Sequence, residues 1–167
     1  MVLSPELLLN TESTSEKQNV IVITGAGSGI GRATAIEFAR KYESEGGAVI
    51  VCVGRRIAPL VETKELIQSH TIEALTISAD VTKESDVEAL FSEVIQKCGK
   101  VDVLFNNAGI SAAAVPWADM EFKDWERVMA VNLNGVFLCM RAAMRVMRSR
   151  GGGRIINNGR CVPVLYS

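Results

Sequence analysis

A glycine-rich turn near the amino terminus has the residue types that bind an anion through the backbone. It lies between a run of Val and Ile residues and a helical pattern, and it reads Thr24-Gly25-Ala26-Gly27-Ser28-Gly29-Ile30-Gly31. Glycine lets the backbone approach a ligand closely, and the first N–H groups of a helix stabilise a phosphate without any charged side chain. We therefore predict a phosphate or pyrophosphate at the amide groups of Gly29, Ile30 and Gly31, with Gly25 and Ser28 in the same site.

Two adjacent arginines, Arg55 and Arg56, follow the second predicted strand. In a dinucleotide-binding fold, an acidic residue about 20 positions past the glycines binds the ribose of NAD, whereas a basic residue there accommodates the 2′-phosphate of NADP. An arginine fork matches the geometry of a phosphate. The sequence therefore favours NADP (NADPH) over NAD, with Arg55 the stronger candidate and Arg56 the second. The alternative is that both arginines are solvated at the start of a helix.

Three further polar segments follow predicted strands or interrupt an apolar pattern. Asp80, in Asp80-Val81-Thr82, fits a turn before a helix that Thr82 or Ser85 would cap, with a capping box between Ser85 and Glu88. The segment Asn106-Asn107-Ala108-Gly109 consists of ordinary turn residues. Asn132 lies on the apolar face of a helix, where an unpaired amide would cost about 1–3 kcal/mol, so it needs polar partners or belongs to a site.

Strands and helices alternate along the chain, a pattern that predicts an α/β fold with a parallel sheet. Strands are expected at residues 20–23, 48–53, 74–78, 101–105 and 154–157, and one long helix at residues 123–148. Residues 1–18 are expected to form a flexible leader, residues 19–159 the folded domain and residues 160–167 an atypical tail.

Composition excludes several classes of protein. With 167 residues and 48% hydrophobic content, the chain is long enough for one domain and too short for two. A net charge of −1 with interspersed charges gives no basic face for nucleic acid, and no apolar run is long enough to span a membrane. The four cysteines lack metal-ligand spacing and His70 is the only histidine, so a metal site is not expected. A cytoplasmic protein with reduced thiols fits this composition.

Together these motifs resemble the short-chain dehydrogenase/reductase family over residues 20–159. The spacing Thr24-Gly25-x-x-x-Gly29-x-Gly31 resembles that family's cofactor loop. It departs from the G-x-G-x-x-G fingerprint, whose third glycine would fall on Ile30. The resemblance implies a Rossmann-like, doubly wound sheet and an oxidoreductase that transfers hydride between NAD(P) and an alcohol or carbonyl substrate. It also implies roles for individual residues: adenine binding at Asp80 and Val81, ribose binding at Asn107, Ala108 and Gly109, and membership of the catalytic tetrad for Asn132.

The resemblance ends after Gly159. Arg160 stands where the family has a serine that binds the substrate carbonyl, and arginine has no hydroxyl to replace it. Tyr166 comes too early to belong to the family's Tyr-x-x-x-Lys pair, and no lysine follows Lys123. We therefore expect a carboxy-terminally truncated family member, with an incomplete sheet of about five strands and little of the family's oligomer interface. Three alternatives remain: an NADP-dependent oxidoreductase, a dinucleotide-binding module without catalysis, and a splice or frameshift product without function.

Overall fold

A five-stranded parallel sheet forms the centre of the computed structural model, which describes residues 18–112 and 115–159. The strand order is β3-β2-β1-β4-β5, and every neighbouring pair is parallel. The strands are β1 (Asn19–Thr24), β2 (Ala48–Gly54), β3 (Ile72–Ser78), β4 (Val103–Asn106) and β5 (Arg154–Asn157). All five predicted strands and the predicted α/β fold are confirmed, with ends that differ by at most two residues.

The central strand β1 is buried on both faces because its side chains alternate between two apolar layers. Val20 and Val22 pack into the cluster that includes α3 (Glu84–Cys98) and α5 (Val136–Arg148). Ile21 and Ile23 pack into the cluster on the other face. A continuous run of β-branched residues is therefore what this position in the sheet requires.

Helices cover both faces of the sheet. The remaining helices are α1 (Gly29–Glu43), α2 (Ile57–Ile67) and α4 (Phe122–Met129), with a short 3-10 turn at Trp117–Asp119. α1 turns Ala35 and Ala39 toward the sheet. α3 is followed by Gly99, whose φ of 72° is a left-handed conformation that glycine adopts without strain. The predicted capping box is wrong, because α3 starts after Lys83 and no side chain caps it.

The predicted long helix of residues 123–148 is divided into three parts. α4 and α5 are joined by a π-helical segment, Ala130–Gly135, so the helical path continues with one wider turn. At the end of this segment, a Cβ atom on Gly135 would lie 2.8 Å from Val81 Cγ2. Only glycine lets the π segment pack this closely against the residues that follow β3.

Parts of the sequence-based predictions fall outside the described residues. The expected leader, apart from Gln18, and the expected tail of residues 160–167 belong to this group, as do Arg160 and Tyr166. Among the helices that the structure describes, none combines the length and the apolar character that crossing a bilayer requires.

Candidate functional site

A cleft opens at the carboxyl ends of β1, β2, β3 and β4, the edge at which open parallel α/β sheets bind their ligands. Small residues make up much of its lining, so the main chain is accessible there. The lining consists of Gly25, Gly27, Ser28, Gly54, Arg55, Arg56, Pro59, Leu60, Ala79, Asp80, Val81, Ala108, Gly109, Ile110 and Val131. Eight of the predicted site residues thus lie around one cleft: Gly25, Ser28, Arg55, Arg56, Asp80, Val81, Ala108 and Gly109.

The glycine turn connects β1 to α1 and is compact because two of its glycines leave no room for a side chain. A Cβ atom on Gly31 would overlap the Gly25 carbonyl oxygen and lie 2.6 Å from Asn107 Nδ2. Gly25 has a φ of 68°, and a Cβ there would lie 3.0 Å from the Ala108 Cα. Ser28, the N-cap of α1, makes no side-chain capping bond. The first amide groups of α1 have no partner within the helix, as at any helix start, and the Ser28 side chain does not supply one.

Thr24 and Asn107 join the glycine turn to the end of β4. The Thr24 hydroxyl oxygen accepts hydrogen bonds from the amide groups of Asn107 (2.9 Å) and Ala108 (3.0 Å), and Thr24 is 1% exposed. In return, Asn107 Nδ2 donates to the carbonyl oxygens of Thr24 (3.1 Å) and Gly25 (3.4 Å). These bonds fix the two loops that form one wall of the cleft.

Amide side chains also join β4 to β5 at the same edge of the sheet. Asn106 Nδ2 donates to Asn157 Oδ1 at 3.0 Å, and Asn158 Nδ2 donates to Asn107 Oδ1 at 2.9 Å. Asn107 is therefore bonded on one side to the glycine turn and on the other to the segment that follows β5. Asn157 Nδ2 in addition donates to the sulfur atom of Met140 in α5 at 3.5 Å, so the group also contacts this helix.

Arg55 and Arg56 are exposed at the junction of β2 and α2, on the lining of the cleft. The Arg55 carbonyl oxygen accepts a hydrogen bond from the Ser78 hydroxyl group (3.2 Å), which ties this junction to the end of β3. Because α2 begins at Ile57, both arginines lie at a helix start. This position also agrees with the alternative that they are only solvated there. Their position on the cleft is compatible with both interpretations.

Asp80 forms a turn with Thr82 and keeps a negative charge. Its Oδ1 atom accepts hydrogen bonds from the Thr82 amide (3.1 Å) and hydroxyl (2.8 Å) groups. Burial alone would raise the pKa of Asp80, but the bonds from Thr82 and the charges of Arg55 and Lys83 outweigh burial and hold that pKa below its ordinary value. None of the hydrogen bonds among the described residues uses Oδ2, so this oxygen is available as an acceptor at the cleft.

Asn132 has two polar partners, both on the backbone of Ile110. Its Oδ1 accepts from the Ile110 amide group and its Nδ2 donates to the Ile110 carbonyl oxygen, each at 2.9 Å. Since Ile110 lines the cleft, the side chain of Asn132 holds the π segment against it. The amide is thus a satisfied polar group, and it also ties the helix to the cleft.

Sequence reasoning missed Arg32 and Thr63. Arg32 Nη2 donates to the Gly27 carbonyl oxygen (2.6 Å), and Arg32 Nε donates to Thr63 Oγ1 (3.0 Å). Thr63 Oγ1 in turn shares its one proton between the carbonyl oxygens of Ala26 (2.9 Å) and Pro59 (3.0 Å). The one available signal was that Arg32 directly follows Gly31, because nothing in the sequence pairs Arg32 with a residue of α2.

The described cysteines are not nucleophiles. Burial raises the pKa of Cys52 and of Cys139 to about 12 and that of Cys98 to about 11, so all three remain thiols at neutral pH. Within residues 18–112 and 115–159, no group of three His, Cys, Asp or Glu side chains is arranged to hold a metal ion.

The parallel sheet and the glycine-lined cleft at its carboxyl edge define a Rossmann-like α/β protein. A family model described as short chain dehydrogenase matches residues 19–159. The chain therefore belongs to the short-chain dehydrogenase family.

Individual relatives agree with this assignment. Levodione reductase of Leifsonia aquatica is 34% identical over 149 residues, which are 89% of this chain and 54% of that protein. A crystal structure of NAD⁺-bound xylitol dehydrogenase matches with a TM-score of 0.78 at 34% identity, covering 83% of this chain and 52% of that one. A metagenomic short-chain oxidoreductase in complex with NADP matches with a TM-score of 0.76 at 32% identity, covering 83% of this chain and 61% of that one. The chain spans about half the length of the curated relatives that it matches.

Proposed function

We propose that residues 19–159 bind NADP(H) in the cleft, in preference to NAD(H). The observation that carries the proposal is the combination of a glycine turn at a helix start with two arginines on the lining of the same cleft. The pyrophosphate of a dinucleotide needs a turn that it can approach closely. The 2′-phosphate of NADP needs a positive charge at the end of the neighbouring strand. The residues present fit both requirements. Solved relatives have been crystallised with NAD⁺ and with NADP, so the family alone does not decide the preference.

Each predicted site residue has a role in this proposal. The amide groups of Gly29, Ile30 and Gly31 bind the pyrophosphate, while Gly25 and Ser28 shape the turn. Arg55, with Arg56 beside it, binds the 2′-phosphate. Asp80 accepts a hydrogen bond from the adenine amino group through Oδ2, and Val81 packs against the ring. The backbone of residues 107–109 contacts the ribose.

We further propose that the 167-residue polypeptide holds the dinucleotide without turnover. When bound, a nicotinamide dinucleotide supplies a hydride for an alcohol or carbonyl substrate, and the protein must supply the proton. Tyr42 is the only tyrosine of residues 19–159 and has Gly46 four residues later, so this region carries no Tyr-x-x-x-Lys pair to supply it. Asn132 would contribute by holding the π segment at Ile110. A longer form would need a proton donor in addition to the residues of this sequence in order to turn over a substrate.

A titration of the purified polypeptide tests both parts. NADPH is expected to bind more tightly than NADH, as measured by calorimetry and by thermal shift, and no oxidation of NADPH is expected with a panel of ketones. Failure of NADPH to give heat or a thermal shift would contradict the proposal of cofactor binding. Turnover of a ketone or secondary alcohol, abolished by Asn132→Ala, would instead make the polypeptide an enzyme in its own right.

The variant Arg55→Ala tests the basis of the NADP preference. We expect it to weaken NADPH binding by roughly tenfold or more and to leave NADH binding within about twofold, because only NADPH loses charge-assisted hydrogen bonds to a phosphate. Isothermal titration with both cofactors measures the ratio. Arg56→Ala should have a smaller effect, and Arg40→Ala, an exposed arginine of α1 that pairs with Glu37, should have none. An unchanged NADPH to NADH ratio in Arg55→Ala would exclude Arg55 as the phosphate ligand.

A further inference from the structure

We propose that Arg32 is a positioning residue for the phosphate-binding turn. It holds the turn in shape by binding a carbonyl group of the turn and, at the same time, residues of α2. The inference rests on the proposed binding of a dinucleotide. It adds that Arg32 keeps the turn in the conformation that binds an anion. Arg32 lies in the first helical turn of α1, directly after Gly31. Its side chain is 27% exposed, and it points to α2 across the glycine turn.

The guanidinium group of Arg32 has four acceptors, which join the glycine turn to α2. Nη2 shares its two N–H groups among three of them: the Gly27 carbonyl oxygen at 2.6 Å, Glu62 Oε2 at 2.8 Å and the Pro59 carbonyl oxygen at 3.2 Å. Nε donates to Thr63 Oγ1 at 3.0 Å. Because a guanidinium group is planar, acceptors on the turn and on α2 are held in one fixed arrangement.

Thr63 extends this contact to the preceding residue of the turn. It is fully buried, and its hydroxyl group, which accepts from Arg32, lies 2.9 Å from the Ala26 carbonyl oxygen. The Ala26 amide group donates to the Val53 carbonyl oxygen at 3.1 Å. The backbone at the middle of the turn is therefore bonded to α1, α2 and β2 at once.

These bonds matter for an anion because carbonyl oxygens carry partial negative charge. In a turn that binds a phosphate through N–H groups, an unpaired carbonyl oxygen nearby would repel the ligand. Arg32 donates to the Gly27 carbonyl oxygen, so that group is paired before a ligand arrives. The Thr63 hydroxyl group shares its one proton between the carbonyl oxygens of Ala26 (2.9 Å) and Pro59 (3.0 Å), so a donor also lies beside the Ala26 carbonyl group. A ligand then does not have to reorganise the turn, which is the general advantage of preorganisation.

In this proposal Arg32 acts on the turn and is not itself a phosphate ligand. Its Nε and Nη2 groups donate to protein acceptors, and the carboxylate of Glu62 pairs with its positive charge. The same α2 helix begins one residue after Arg56. The Arg32 network thus also fixes the distance between the turn and the arginines that would bind the 2′-phosphate.

The test compares two ligands that share the 2′-phosphate and differ in the pyrophosphate: NADPH and adenosine 2′-monophosphate. In Arg32→Ala we expect NADPH binding to weaken by about tenfold or more, since a charge-assisted contact to the turn is lost, while adenosine 2′-monophosphate binding stays within about twofold. Arg32→Lys keeps the positive charge but cannot bridge all four acceptors, so it should lose NADPH affinity too. Arg40→Ala, on the exposed side of the same helix, is the matched control and should change neither affinity by more than about twofold.

Several results would overturn the inference. Unchanged NADPH affinity in Arg32→Ala or Arg32→Lys would do so, as would an equal loss for both ligands, which would indicate general damage to the fold. If Arg32→Ala does not fold, Arg32→Lys carries the comparison. Tighter NADPH binding in Glu62→Gln would also contradict it, because that result would make Arg32 a direct ligand released from its carboxylate. Failure of the wild-type polypeptide to bind NADPH would refute the proposed function itself, and is thereby distinguished from a failure confined to the variants.

Discussion

Replacing Gly31 with alanine is expected to abolish NADPH binding and to lower the free energy of unfolding by about 3 kcal/mol. The added Cβ would overlap the Gly25 carbonyl oxygen and lie 2.6 Å from Asn107 Nδ2. Because the first of these contacts is backbone, the turn itself must move. The effect comes from overlap, since Gly31 does not have a positive φ. Urea unfolding and an NADPH titration measure the two losses separately.

Gly54→Ala is the matched control for this prediction. Gly54 lies on the same cleft, but a Cβ there would first meet Leu60 Cδ2 at 3.4 Å, an ordinary van der Waals contact. We expect its free energy of unfolding to stay within about 1 kcal/mol of the wild type. If Gly31→Ala proved as stable as Gly54→Ala and still bound NADPH, the close packing of the turn on Asn107 would not be a requirement of the site.

Thr24→Val is expected to cost about 2–5 kcal/mol of the free energy of unfolding. Valine keeps the shape of threonine but removes the oxygen that accepts from the amide groups of Asn107 and Ala108. A fully buried N–H group left without an acceptor costs about 1–3 kcal/mol. Both of these bonds are only partly buried, so the combined cost stays below the largest sum of two such penalties. The loop after β4 would also lose its attachment to β1, so NADPH binding should weaken in the same variant. Chemical unfolding and calorimetric titration measure the two effects.

Thr24→Ser separates the hydroxyl group from the methyl group at this position. Serine retains the acceptor, so most of the stability lost in Thr24→Val should return, apart from about 1 kcal/mol for the missing methyl group. Equal destabilisation by valine and serine would mean that packing of the methyl group, not hydrogen bonding, determines the contribution of Thr24.

The fold was predictable because its signals are local. The runs of Val and Ile that form β1 and β2 are long enough, and apolar enough, to specify strands buried on both faces. The glycine turn was predictable from composition and from its place between a strand and a helix. The position of Asp80 and Asn107 at the site was predictable because each follows a strand, and parallel strands bring their carboxyl ends to one edge of the sheet.

What the sequence did not predict depends on contacts between distant residues. Arg32 bonds to Glu62 and Thr63, about 30 positions away, and arginine in an amphipathic helix is ordinarily solvated. The residues of the π segment Ala130–Gly135 do not distinguish it from an α-helix, and its Asn132 is bonded to Ile110, 22 positions away. The capping box failed because Ser85 lies inside α3 and not before it. In each case the tertiary partner decides the local structure.

The position of β1 determines how the glycine turn would lose its order. β1 is hydrogen-bonded to β2 on one side and to β4 on the other, whereas β5 is paired only with β4 among the described strands. Fluctuations that open a sheet begin at its edges and reach a doubly paired strand last. Fraying of β5 can therefore occur while β1 still anchors the turn, which should detach only when the whole sheet opens cooperatively.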